Sequence, residues 1–255
     1  MSRPVSKDGA TVVYGRNAVR EALRGRRGVI RLWAAERRTA AELLENAPKE
    51  QVPFELVSIN ELQELCGSRD HQGVVCEAEP YPYADASLLL EAPEALVVAL
   101  DQVQDPQNLG AICRSAECGG AAGVVLPERR AAQITSAVCR ASAGAVEHLP
   151  VARVRNVADY LEWARGKGAW VYGAEVGSAT SYTSVDFTGR AVMVLGSEGG
   201  GLRPRVKRSC DQLVSIPLEG KLASLNVSAA AAILIYEALR QWGNEGSRGG
   251  VNRRT

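Results

Sequence analysis

The sequence predicts an α/β protein in two parts, a small α/β domain followed by a larger domain built on a mostly parallel sheet. Three observations predict it. From Ala95 onward, short apolar runs alternate with helical segments, as they do when helices cover a parallel sheet. Before about residue 80, a shorter strand–helix alternation makes a separate βαβαβ-like block. Between them, "PYPYADASLLLEAP" carries paired Pro and Tyr residues and then Pro93, which marks a linker.

The first domain spans 12–80. "TVVYG" opens it, and "RNAVREALRG" is an amphipathic helix with Ala18, Val19, Ala22 and Leu23 on one face. Gly25 and Gly28 stop that helix. "GVIRLWAAE" is a strand. "TAAELLENAP" is a helix with Thr39 as N-cap and Glu42 three residues on, the spacing of a capping box. "FELVSI", "NELQELCG" and "GVVCEAEP" continue as strand, helix and strand. Residues 81–94 are the linker. The second domain, 95–242, begins with "ALVVALD", a continuous apolar run expected of a strand buried on both faces. "GVVLP", "LPVARV", "AWVYGAE", "AVMVLGS" and "LVSIPL" are further strands. Helices lie in "LGAICRSAECGG", "AAQITSAVCRASAG", "VADYLEWARGKG", "RPRVKRSC" and "VSAAAAILIYEALRQW". Residues 1–11 and 243–255, rich in Gly, Ser and charge, read as flexible tails.

At 255 residues, 46% apolar and 23% charged, the chain has an ordinary globular composition. No window approaches the roughly 18 apolar residues of a membrane helix. The start "MSRPVSKDGA" lacks a secretory apolar core, so a cytoplasmic location is expected and no membrane partner. Six scattered cysteines form no CxxC pair and only two histidines are present. That predicts free thiols in a reducing compartment and no metal. Net charge is +1, but the first segment carries Arg16, Arg20, Arg24, Arg26, Arg27 and Arg31 against few acids. Such a cluster can hold phosphates, or be a solvated face.

In open parallel sheets ligands sit beyond the carboxyl ends of strands, which selects three loops. In "DQVQDPQNLGAICRSAECGG", Asn108 is a natural N-cap for a helix starting near Leu109. Arg114 stands on a helix otherwise filled with Ala, Ile and Cys, either as a functional cation or as a surface arginine paired with Glu117. In "VMVLGSEGGGL" an apolar strand runs into Gly196, Gly199, Gly200 and Gly201 around Glu198, either a backbone–ligand approach or a plain glycine turn. It matches neither GxGxxG nor a P-loop. In "SIPLEGKLASLNVSAAAAILI", Ser224 or Asn226 can cap the last helix, and alanines 229–232 allow close packing.

Together "NLGAICRSAECGG", "VLGSEGGGL" and "IPLEGKLASLNVSAAAAIL" resemble, in order, the three motifs of the SpoU (TrmH-like) family of RNA ribose 2′-O-methyltransferases, within the SPOUT superfamily. "VVYGRNAVREAL" and "HQGVVCEAEPY" resemble the substrate domain of the branch that modifies a guanosine of large-subunit 23S ribosomal RNA. From residues alone the sheet would be doubly wound, since knots are rare. The resemblance implies instead a deep trefoil knot, a homodimer with composite active sites, and S-adenosylmethionine bound in the knot. It implies catalytic Arg114, supplied by the opposite subunit, with Asn108 and Glu198 orienting it and the substrate. Ser224 and Asn226 would hold the active-site loop. Leu195, Gly196, Ile216, Leu218 and Leu225 would meet the cofactor, with no acidic ribose ligand needed. Arg16, Arg20, Arg24, Arg26 and Arg27 would dock RNA, with His71 beside them or serving as a hydrogen-bonded turn histidine. Rival readings are a tRNA ribose methyltransferase of the same family, whose simpler members lack the first domain, and a non-catalytic RNA-binding or ribosome-assembly protein on this fold. A nucleotide-binding oxidoreductase is disfavoured by the missing GxGxxG.

Overall fold

The computed structural model describes residues 9–45 and 52–246. Of the expected tails, 1–8 and 247–255 lie outside the described residues, as do the last letters of "TAAELLENAP"; the rest is corrected, since Thr11 already begins a strand and 243–246 continue the last helix. The described residues form two compact units, one of 9–45, 52–82 and 133–148 and one of 83–132 with 149–246.

The first unit holds β1 (Thr11–Tyr14), α1 (Arg16–Arg24), β2 (Val29–Ala34), α2 (Arg37–Leu44), β3 (Phe54–Leu56), α3 (Ile59–Cys66) and β4 (Val74–Ala78). Its sheet order is β1-β4-β2-β3. β4 runs antiparallel to β1 and β2, whereas β2 and β3 are parallel. All five residues of β4 are buried, as a central strand requires. On α1 the buried face is Ala18, Val19, Ala22 and Leu23, the set its 3.6-residue period marks out.

Two local expectations are corrected. α2 starts at Arg37 with Glu36 as N-cap, so Thr39 is inside the helix and makes no capping box. The reciprocal box lies instead at Ser58 and Glu61, at the head of α3. The second correction concerns boundaries. Residues 133–148, read as part of the 95–242 domain, pack in the first unit through α5 (Ser136–Ala141) and a 3-10 turn at Ala145–Glu147. Gly144 permits that approach, because its φ is +90° and a Cβ would fall 2.5 Å from Glu21 Cβ.

The second unit holds β5 (Ala95–Asp101), α4 (Pro106–Cys118), β6 (Gly123–Pro127), β7 (Val151–Val154), α6 (Val157–Gly166), β8 (Trp170–Ala174), β9 (Arg190–Gly196), α7 (Pro204–Arg208), β10 (Gln212–Val214) and α8 (Val227–Gly246). Six strands in the order β10-β8-β9-β5-β6-β7 form an all-parallel sheet. β5 is buried throughout. Parallel strands put all six carboxyl ends on one edge, and β9 to β10 passes over β8. α8 packs on α4 so tightly that a Cβ on Gly119 would sit 2.4 Å from Ile235 Cγ2. The expected linker is not a free tether. Leu89 and Leu90, in a 3-10 turn at Ala86–Leu90, are buried in this unit's core, and Ala84 bridges to Ala152.

Candidate active site

The carboxyl edge of β8, β9 and β10 encloses a cavity of about 490 Å³. That volume suits a nucleoside-sized ligand. Its floor is the end of β9 and the glycine turn that follows. Ser197 and Gly201 exchange backbone hydrogen bonds of 3.2 and 2.9 Å, which folds the turn back on itself. Gly196 has no room for a side chain, since a Cβ would stand 2.1 Å from the Gly201 carbonyl carbon. The turn is anchored from β5. Asp101, fully buried, accepts from Arg203 N at 2.9 Å and Nε at 2.7 Å, and Nη2 lies 2.6 Å away. A buried carboxylate persists only when paired in this way. The signal for it was visible in "ALVVALD", where an acid ends a wholly apolar strand.

Leu195, Gly196, Ile216, Leu218 and Leu225 all line the cavity, as do Glu198 and Ser224. The apolar walls and exposed glycine backbone fit an adenosyl group, which needs flat contacts and a few backbone partners. Glu175, missed by the sequence reading, also lines the cavity and is held by Lys207 Nζ at 2.5 Å. It follows β8, a strand end not singled out by motif.

Three polar side chains converge here, one from the first turn of α4, one from the glycine turn that lines the cavity and one from the loop before α8. Asn108 Nδ2 donates to Glu198 Oε1 at 2.7 Å. Asn226 Nδ2 donates to Asn108 Oδ1 at 2.9 Å and to Glu198 Oε1 at 2.8 Å. Asn226 Oδ1 accepts from Ser228 N at 2.8 Å and Ser228 Oγ at 2.6 Å, capping α8. Asn108 does not cap α4. That helix begins at Pro106 with Asp105 as its cap, so Asn108 lies one turn inside and buried. Proline at the first helical position moves the start three residues earlier than the Asn signal suggests.

Arg114 is not gathered into this cluster. It is exposed on α4, and six residues at roughly 100° each put it about 120° around the helix from Asn108. Of the arginines expected to dock RNA, Arg16, Arg24 and Arg26 are exposed and Arg20 is half-buried. Arg27 is not on that face: it is buried, with Nε and Nη2 on Glu147 at 2.9 and 2.6 Å and Nη2 on Cys139 Sγ at 3.3 Å. Burial opposes its charge, but the Glu147 bond and field outweigh that and raise its pKa. His71 is likewise buried, its Nδ1 accepting from Gly73 N at 3.1 Å. It is the turn histidine, not an RNA contact. Among the described residues no group of three or more His, Cys, Asp or Glu could hold a metal, and no helix is long and apolar enough to cross a membrane.

A parallel-sheet domain with a glycine-walled cavity and a converging Asn–Glu–Asn cluster belongs to the cofactor-dependent α/β enzymes. The family follows from comparison. The SpoU rRNA methylase family model matches residues 95–236, and the RNA 2′-O ribose methyltransferase substrate-binding model matches 12–84. The chain belongs to the SpoU family of RNA methyltransferases. A Bacillus subtilis protein named as a TrmH family tRNA/rRNA methyltransferase, YacO, is 39% identical over 237 residues, which is 90% of this chain and 95% of that one. The solved SpoU methyltransferase AviRb of Streptomyces viridochromogenes, in complex with AdoMet, superposes with a TM-score of 0.80 at 27% identity, covering 92% of this chain and 91% of that one. An AdoMet-bound rRNA methyltransferase from Sinorhizobium meliloti gives 0.77 at 27% identity, covering 91% and 88%.

Proposed function

We propose that this protein methylates a ribose 2′-oxygen, that of a guanosine in 23S ribosomal RNA, with S-adenosylmethionine held in the β8–β10 cavity. The observation that carries this is the Asn108–Glu198–Asn226 cluster, whose Glu198 lines the cavity. The ribosomal target is supported by the match to the SpoU rRNA methylase model over 95–236 and by the likeness, over 91% of this chain, to an rRNA methyltransferase.

When bound, the cofactor would supply an activated methyl, its carbon–sulfur bond breaking as the carbon–oxygen bond forms, with the 2′-hydroxyl proton released to water and the neutral thioether leaving. The chain's own task is placement, which can supply roughly 7–11 kcal/mol when geometry is good. Leu195, Ile216, Leu218 and Leu225 clamp the adenosyl group, and Gly196 lets backbone approach it. Glu198 is oriented by two amide donors on Oε1, which leaves its other oxygen for the substrate. Arg114 grips the phosphate next to the reacting ribose; a guanidinium is a strong bidentate anion ligand and a poor general base. Because Arg114 faces away from its own cluster, we assign it to the site of the opposite subunit in a homodimer. Ile233 and Tyr236, exposed on α8, supply apolar surface for such a partner. The passage of β9–β10 over β8, with α8 returning to α4, supports a trefoil knot around the cavity.

The test is transfer of labelled methyl from S-adenosylmethionine to ribosomal RNA from cells lacking this protein, with the modified nucleotide mapped. A 2′-O-methylguanosine in 23S RNA is expected. Transfer to tRNA alone, or to a base, would overturn the assignment.

A further inference from the structure

Resting on that reading, we propose a second RNA-contacting surface, on the catalytic unit itself, formed by Arg129, Arg130 and Arg155. Arg129 and Arg130 follow the carboxyl end of β6, and Arg155 follows that of β7. All three are exposed, and among the described residues they have neither an ion pair nor a side-chain hydrogen bond. Arg153, one turn of the pleat earlier on β7, is exposed as well and lies 4.1 Å over the Tyr83 ring, which holds it by a cation–π contact. Glu128 is the carboxylate at the root of this strip, leaving a clear positive excess.

The strip is placed by the sheet. β6 and β7 are parallel to β5 and β9, so their carboxyl ends share the edge that carries Asn108 and Glu198. At roughly 4.8 Å per strand, β7 is about 14 Å from β9, the rise of about four stacked nucleotides at roughly 3.4 Å each. The β6 loop is also fixed relative to the site. Ala132 N donates to Val103 O at 2.9 Å, tying it to the loop that leads into α4. Arg130 itself takes φ +60°, and Gln102 in the tied loop takes +66°. Non-glycine residues held in this left-handed region mark turns whose shape is imposed by their surroundings. Unpaired guanidinium groups carried on an anchored backbone at the reaction edge suit the phosphates of an RNA strand two to four nucleotides from the reacting ribose.

The test uses full-length protein and RNA from cells lacking it. Wild type and R129A/R130A/R155A are compared for S-adenosylmethionine affinity, RNA affinity across a salt series, and KM against kcat. The triple variant should bind the cofactor as wild type does. It should bind RNA at least about tenfold more weakly, with a salt slope shallower by about 2, at about 0.7 per single-strand phosphate lost. KM for RNA should rise while kcat at saturating RNA is kept. R129K/R130K/R155K should recover most of the slope. Unchanged RNA affinity and slope in the alanine variant would overturn the surface and leave the methyltransferase reading intact. Failure of wild type to bind RNA would overturn both.

Discussion

Arg27 and Glu147 offer the sharpest test of how the first unit is built. Their side chains are each about 1% exposed and meet through two hydrogen bonds, in a pocket closed by Cys139 and by Tyr81, whose hydroxyl donates to Val146 O at 2.9 Å. They join residues 120 positions apart, so the pair fixes the 133–148 segment to the β1–β4 sheet. Removing one partner leaves a desolvated charge, at a cost of about 3–5 kcal/mol. Arg27→Met and Glu147→Leu should each lose that much. With a urea m-value of about 2 kcal/mol/M, the unfolding midpoint should fall by about 1.5–2.5 M. The double variant Arg27→Met/Glu147→Leu removes both charges and fills the space with apolar groups. It should return to within about 1 kcal/mol of wild type, or exceed it. Urea unfolding of the four proteins, followed by circular dichroism, closes the cycle. Single losses under about 1 kcal/mol would refute the desolvation argument. A weaker RNA salt dependence in Arg27→Met at unchanged stability would return Arg27 to the RNA-docking set.

Two further predictions concern the catalytic unit. Arg114→Ala should abolish methyl transfer and leave cofactor affinity unchanged by calorimetry; mixing it with Asn226→Ala should restore about a quarter of wild-type activity, because half the dimers are mixed and each rebuilds one of two sites. No recovery on mixing would place Arg114 in its own subunit's site. Gly196→Ala drives a methyl into the Gly201 carbonyl carbon at 2.1 Å, so cofactor affinity should fall at least tenfold, and wild-type affinity in that variant would show the turn is not the binding wall.

Periodicity made the α/β class legible, because apolar runs such as Ala95–Leu100 are fully buried strands and α1 buries the face its spacing marks. The cluster was legible as residue types at strand ends, but not as geometry. Asn108 looked like a cap, since a helix start is set by Asp105 and Pro106 together and single-residue cap signals compete. The segment 133–148 could not be assigned to its unit from local pattern, because the Arg27–Glu147 pair that holds it joins residues 120 positions apart. Arg27 misled for the same reason: a charge in a basic run reads as surface until a distant carboxylate is known. Glu175 and the β6–β7 arginines carry no motif and become visible only when the sheet brings strand ends to one edge.

The sequence left Asn226 with two readings, a helix cap or a site residue, and the structure gives it both through opposite ends of one amide. Its Oδ1 takes the Ser228 N–H and hydroxyl, while its Nδ2 serves Asn108 and Glu198. The orientation is forced. A flipped amide would set its NH2 against the Ser228 N–H and its oxygen against the Glu198 carboxylate and Asn108 Oδ1, losing three of the four bonds and adding repulsion, while the Ser228 hydroxyl alone could turn to accept. The start of α8 therefore cannot shift without moving Glu198 and Asn108, and α8 is itself wedged against α4 at Gly119. A cap that would contribute about 1 kcal/mol to a helix end elsewhere here ties the first turn of α4, the glycine turn and the start of α8 together. Aspartate in its place would keep the cap and put a second carboxylate against Glu198. Helix stability and site geometry are thus separable by one substitution, although a single side chain carries both.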